Sequence, residues 1–164
     1  MINAIELADA FRRNADLIKQ QTKGLTHDQC LLQPPFRGNC MNWVIGHIVD
    51  DRNRILDLLE ASPVMAEAEV KAYRRYSHGS DPVCCDTADV IPLERLLTDL
   101  DKTQEAISTA LPRASQDVLK AEREFAGRKR TVAQTVFFLY YHDTYHTGQT
   151  ELLRQLAGTN DHIV

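Results

Sequence analysis

Thr131–Leu156 reads TVAQTVFFLYYHDTYHTGQTELLRQL, and its periodicity decides the fold. The stretch is long enough for a helix of about seven turns at 3.6 residues per turn. Steps of four and three trace one inward face through Val132, Thr135, Leu139, His142, His146, Gln149, Leu153 and Leu156. Apolar residues fill both ends of that stripe, as a core-facing helix requires. Its middle is polar, with two histidines one turn apart. Residues at i and i+4 share a helix face, so two imidazoles at this spacing can chelate one metal ion. A buried polar interruption is costly unless it is satisfied. The plain alternative is a pair of core histidines bonded to their neighbours.

Working outward, three further helices are expected. The first runs from about Asn3 to Thr22, with Ala4, Ala8, Phe11, Ala15 and Ile18 on one face and Gly24 beyond its end. An ordered loop follows from Leu25 to Cys40. Thr26 there can cap a short turn, Pro34-Pro35 forbids a regular element, and Leu31, Leu32 and Phe36 reach the core edge. The second helix spans about Met41 to Ala61, with Asn39 as its N-cap and Pro63 beyond its end. Its stripe is Val44, Ile48, Asp51, Ile55 and Leu58, with His47 on the flank. The third starts at Pro92 and stops at Pro112, with Leu93, Leu96, Leu97, Leu100, Ile107 and Leu111 on its face. Thr131 caps the fourth and Gly158 closes it.

The connections carry topological information. Ser62–Ile91 is far longer than an antiparallel hairpin requires. It holds a minor helix within Val64–Tyr76 and a loop over Ser77–Asp89, and it can carry the chain back along the bundle, making helices two and three parallel neighbours. Arg113–Arg130 is a second connection, with a small hairpin turning at Gly127. The fold class expected is all-α: one four-helix-bundle domain over residues 1–164, up-down-down-up, with long crossovers.

The bulk numbers exclude several classes. Hydrophobic residues at 43% and charged residues at 26% are ordinary for a globular chain, and the net charge is −4. No basic stripe suggests nucleic acid. No apolar run approaches the ~20 residues of a membrane span, and the N-terminal stretch lacks a signal-peptide core. Four cysteines without C-x-x-C spacing are not a disulfide framework, which points to the cytoplasm.

His47, His142 and His146 are the chemistry-bearing set. Three neutral imidazoles suit zinc, nickel, iron or copper and leave a coordination position open. A di-iron bundle would need Glu-x-x-His repeats, and none is present. A zincin helix would need Glu after its first histidine, where this chain has Asp143, read as pointing away from the metal face. His78, Cys84 and Cys85 make only a weak second metal site. Trp43, Tyr140, Tyr141 and Tyr145 read as packing. Asp51, one turn after His47, has three possible roles: a fourth ligand, an acceptor for the outer N–H of a ligand histidine, or a surface partner of Arg52 or Arg54.

The segment HDTYHTGQTELLRQL resembles the H-x-x-x-H-x-G-Q signature of the DinB-like (DinB/YfiT) superfamily, and NWVIGHIVDDRNRIL resembles that family's first histidine helix. The resemblance implies a bundle in up-down-down-up order with His47, His142 and His146 as metal ligands. Gly148 and Gln149 match the signature, and Asp51 and Gln149 are the candidate pocket or second-layer residues. Members of known activity include thiol-dependent transferases and isomerases; others are regarded as metal-dependent hydrolases. The function implied is a hydrolase or a thiol-dependent S-transferase using zinc or nickel. Its substrate would be a small molecule, its co-substrate a low-molecular-weight thiol, and its assembly a homodimer. The alternatives are a non-catalytic metal-binding stress-response protein and a bundle scaffold whose histidines merely pack.

Overall fold

Caps set the helix starts in the computed structural model, which describes residues 3–85, 87–88 and 90–163. Asn3 accepts from the Glu6 backbone N–H while Glu6 accepts from that of Asn3, a reciprocal box that opens α1, Ala4–Thr22. Thr26 and Gln29 make the same box for the short α2, His27–Cys30. Thr131 and Gln134 make it for α7, Val132–Leu156. The other elements are α3 (Met41–Leu58), α4 (Glu67–Ala72), a 3-10 turn over Tyr73–Tyr76, α5 (Leu93–Arg113), α6 (Gln116–Lys120), β1 (Glu122–Phe125) and β2 (Arg128–Thr131). The chain is thus mostly helical, with one antiparallel hairpin. Ala126 and Gly127, both at positive φ, form its two-residue turn, as the twist of a hairpin favours.

Several sequence expectations need correction. The α3 N-cap is Cys40, not Asn39, and α3 stops at Leu58 rather than Ala61 because Glu60 turns left-handed at φ 55°. Pro92 is the cap of α5 rather than its first residue, and Pro112 lies one residue inside its end. The minor helix begins at Glu67, and α6 was not anticipated. Of the three residues expected at the core edge, only Leu31 is buried; Leu32 and Phe36 are exposed. Ser77–Asp89 is irregular as expected, apart from Asp86 and Asp89, which lie outside the described residues.

Both α1 and α3 pack against α5 and α7. Side-chain pairs give the directions. Arg12 bonds Ser108 and Lys19 bonds Asp101, so α1 and α5 run oppositely. Asn14 meets Asp143 and Arg154 meets the Gln21 carbonyl, so α1 and α7 run together. Asn42 reaches Ile91, just before α5, and Arg52 reaches Gln104, so α3 and α5 run together. Two apolar clusters fill the interior. One gathers Ile18, Met41, Val44, Ile48, Leu96 and Leu153, and the other Phe11, Ile55, Ile107, Val136 and Leu139. Between them lies a polar waist containing Asn14, Asp51, Arg52, Gln104 and Asp143, all buried.

The stripe expected on α7 is buried at Val132, Thr135, Leu139 and Leu153, but its middle is shifted by one position. Leu139, Asp143, Thr147 and Thr150 are buried, while Leu156, expected inside, is 37% exposed. Asp143 therefore points into the core, where it meets Arg52 at 2.8 Å. His142 and His146 sit on the flank of that face, towards α3.

A candidate three-histidine metal centre

His47 lies on α3 where Gly46 lets another element approach. Tyr76 packs its ring against Gly46 so closely that a Cβ there would overlap it. The Tyr76 hydroxyl donates to Asn42 and accepts from the Ile91 backbone N–H, which fixes the 3-10 turn against α3. The turn so held presents the Tyr76 carbonyl to His47, whose Nδ1 donates to it at 2.7 Å. Trp43, one turn earlier, stacks on His47, its ring 4.6 Å away at 19° between planes.

The other two imidazoles are held by the same device. His142 Nδ1 donates to Asp51 Oδ2 at 2.9 Å. His146 Nδ1 donates to Gln149 Oε1, one turn on, at 2.7 Å. A backbone carbonyl and a carboxylate can only accept, so these contacts assign the proton to Nδ1 in His47 and His142. The amide oxygen does the same for His146. Each ring then carries its lone pair on Nε2.

Those lone pairs converge. One ligand atom from each histidine lies within 4.8 Å of the others. The Nε2 atoms of His142 and His146 are 3.2 Å apart, and the His47 Nε2 is buried without a hydrogen bond. Two lone pairs facing each other repel unless a cation lies between them. Tetrahedral zinc with bonds of about 2.0–2.1 Å would set two such nitrogens roughly 3.3 Å apart. The donor set therefore fits a divalent transition metal, with His47, His142 and His146 as its holders.

Electrostatics favour the same state. Burial pushes the His146 imidazole down to about 4 and lowers that of His47, which keeps both rings neutral and able to ligate. Burial alone would raise the Asp51 carboxyl. The hydrogen bond from His142, with the nearby Arg54 guanidinium, outweighs it, so the carboxylate sits below its ordinary range. Arg54 Nη1 also lies 3.5 Å from its Oδ1, but Asp51 is buried, so this contact is not the surface pairing expected as one alternative.

The structure thus brings together His47, His142, His146, Asp51 and Gln149. Gly148 faces open space. Among the described residues no second group of metal ligands converges, so His78, Cys84 and Cys85 do not form one. Sequence reasoning passed over Gly46, Tyr76 and Phe138, whose ring stacks 6.1 Å from that of His142 at 20°. A glycine inside a helical pattern was the one available signal for this packing. No helix among the described residues is long and apolar enough to cross a membrane.

The family model of the DinB superfamily matches residues 10–150, which takes in all three histidines. No curated protein matches the chain.

Proposed function

The chain belongs to the DinB superfamily, and on that premise we propose that it is a metal-dependent enzyme acting on a small molecule. His47, His142 and His146 would hold zinc or nickel through Nε2, and a three-ligand set would leave room for a small nucleophile. The observation that carries this reading is the set of three Nδ1 donors, each anchored to an acceptor, behind three converging Nε2 atoms. A divalent metal held there supplies Lewis acidity, which favours the deprotonated form of water or a thiol at neutral pH. The protein's own residues fix the geometry. Tyr76, Asp51 and Gln149 lock the tautomers, as second-layer partners of ligating histidines do. Trp43 and Phe138 limit how far the His47 and His142 rings can turn.

With water as nucleophile the protein is a hydrolase; with a low-molecular-weight thiol it is an S-transferase. The scaffold is a single bundle domain over residues 1–164 in up-down-down-up order. The packing partners and helix directions described above support it. A cytoplasmic, homodimeric protein is the accompanying expectation, tested by fractionation and by light scattering.

Metal content decides first. Elemental analysis and chelator competition on the purified chain should give one zinc or nickel per chain, lost in His47→Ala, His142→Ala and His146→Ala. A chain that takes up no metal, or keeps it in all three variants, defeats the proposal. Assays of the loaded protein with activated esters, and with a thiol plus an electrophile, then separate hydrolase from transferase. A metal-replete chain inactive in both returns it to a binding role.

A further inference from the structure

Where β2 runs into α7, Lys129, Arg130, Gln134, Phe137, Phe138 and Tyr141 line an open groove of about 490 Å³. That size falls within the range of small-molecule sites, roughly 300–1,000 Å³. Its walls are aromatic, and two of them face water: Phe137 is 52% and Tyr141 63% exposed. Its cations are not equivalent. Lys129 pairs with Glu122 at 2.7 Å. Arg130 has no carboxylate within ion-pair reach among the described residues, and Arg123 is its partner in the strand register. Like charges opposed in this way repel. The Arg130 guanidinium lies over the Phe138 ring, 4.6 Å from its centroid, and its Nη1 is buried without any acceptor. A desolvated, charged donor left unpaired is unfavourable, and an anion of matching shape would relieve it.

We infer that this groove binds a small monoanion with an apolar body, an aromatic or branched aliphatic carboxylate. The carboxylate pairs with Arg130, whose planar fork suits it. The body lies along Phe137, Phe138 and Tyr141. A single unneutralised guanidinium matches a single negative charge.

One wall of the groove also borders the histidines. Phe138 forms its wall and stacks near-parallel to His142, with centroids 6.1 Å apart. Arg130 and the His142 ring thus share Phe138 as a neighbour. On this geometry the groove seats the anionic end of the substrate whose reacting end reaches the three histidines. That second step rests on the proposed function; the anion site itself does not.

Fluorine NMR titration of the full chain with fluorobenzoate and with neutral fluorobenzyl alcohol tests both steps. Fluorobenzoate should bind at least about tenfold more tightly than the alcohol, and Arg130→Gln should remove that preference. Thermal melting of the variant checks that it folds. Nuclear Overhauser contacts from the bound ring to Phe137, Phe138 or Tyr141 of the unmutated chain give a readout independent of the variant. Equal affinity for acid and alcohol, an unchanged fluorobenzoate affinity in folded Arg130→Gln, or absent ring contacts would overturn the site. If chelation abolishes benzoate binding, the anion sits on the metal; the groove is then refuted while the proposed function stands. If the chain takes no metal yet keeps Arg130-dependent binding, the proposed function fails and the groove survives.

Discussion

Asp51 shows how one side chain can support a cluster of three histidines from outside it. It is 6% exposed, so an unpaired carboxylate there would be costly. It is kept ionised by His142 on one oxygen and Arg54 on the other. Asp51→Asn keeps the shape and removes the charge. Metal affinity should then fall by ~10–100-fold, the usual loss when the outer partner of a ligand histidine is altered. Competition with a chromophoric chelator measures this. An unchanged affinity, with the fold intact by circular dichroism, would reduce Asp51 to an ion-pair partner of Arg54. The i, i+4 spacings of His47 with Asp51, and of His142 with His146, were legible in the sequence because helical geometry fixes them. The acceptor for His47 was not, because a backbone carbonyl at Tyr76 has no side-chain signature.

At the scale of elements, two glycines within helices should respond oppositely to the same substitution. Gly46→Ala puts a methyl into the space held by the Tyr76 ring. Alanine favours helix by about 1 kcal/mol, but overpacking typically costs about 1–3 kcal/mol. The Tyr73–Tyr76 turn must shift, and its carbonyl leaves His47. We expect lower stability together with weaker metal binding. Gly148→Ala meets nothing within 4 Å, so the helix gain of about 0.5–1 kcal/mol should appear in full. Urea unfolding of both variants is the measurement, and a stability rise in Gly46→Ala would refute the docking role given to Tyr76. The same contrast explains what periodicity could and could not yield. It located the four long helices, whose apolar spacing is a local property. It missed only the middle of the buried face of α7, where polar Asp143 and Thr147 take the core places expected for His142 and His146. Thr147 bonds back to Asp143, whose own partners, Asn14 on α1 and Arg52 on α3, lie far away in sequence.

Those partners hold the molecule at its waist. Arg52 is fully buried, and its guanidinium reaches three other helices. It donates to Asp143 on α7 at 2.8 Å, to Gln104 on α5 at 3.1 Å and to the Phe11 carbonyl on α1 at 3.0 Å. Asn14 completes the shell on Asp143 at 2.8 Å. The network separates the two apolar clusters and lies one residue away from Asp51 on α3 and from His142 on α7. Any rotation of either helix would move the histidines and the ion pair together. Burying such a pair gains little net stability, but breaking it by removing one partner leaves an uncompensated charge. Asp143→Asn should therefore cost about 3–5 kcal/mol in urea unfolding. The double variant Arg52→Met/Asp143→Leu removes both charges and should lose less than the single one. If Asp143→Asn costs under about 1 kcal/mol, the guanidinium has found water or another acceptor and the waist is not dry. If the double variant is the stabler of the two yet binds metal more weakly, the ion pair serves the alignment of α3 with α7 rather than stability, and the polar waist exists to keep His47 facing His142 and His146.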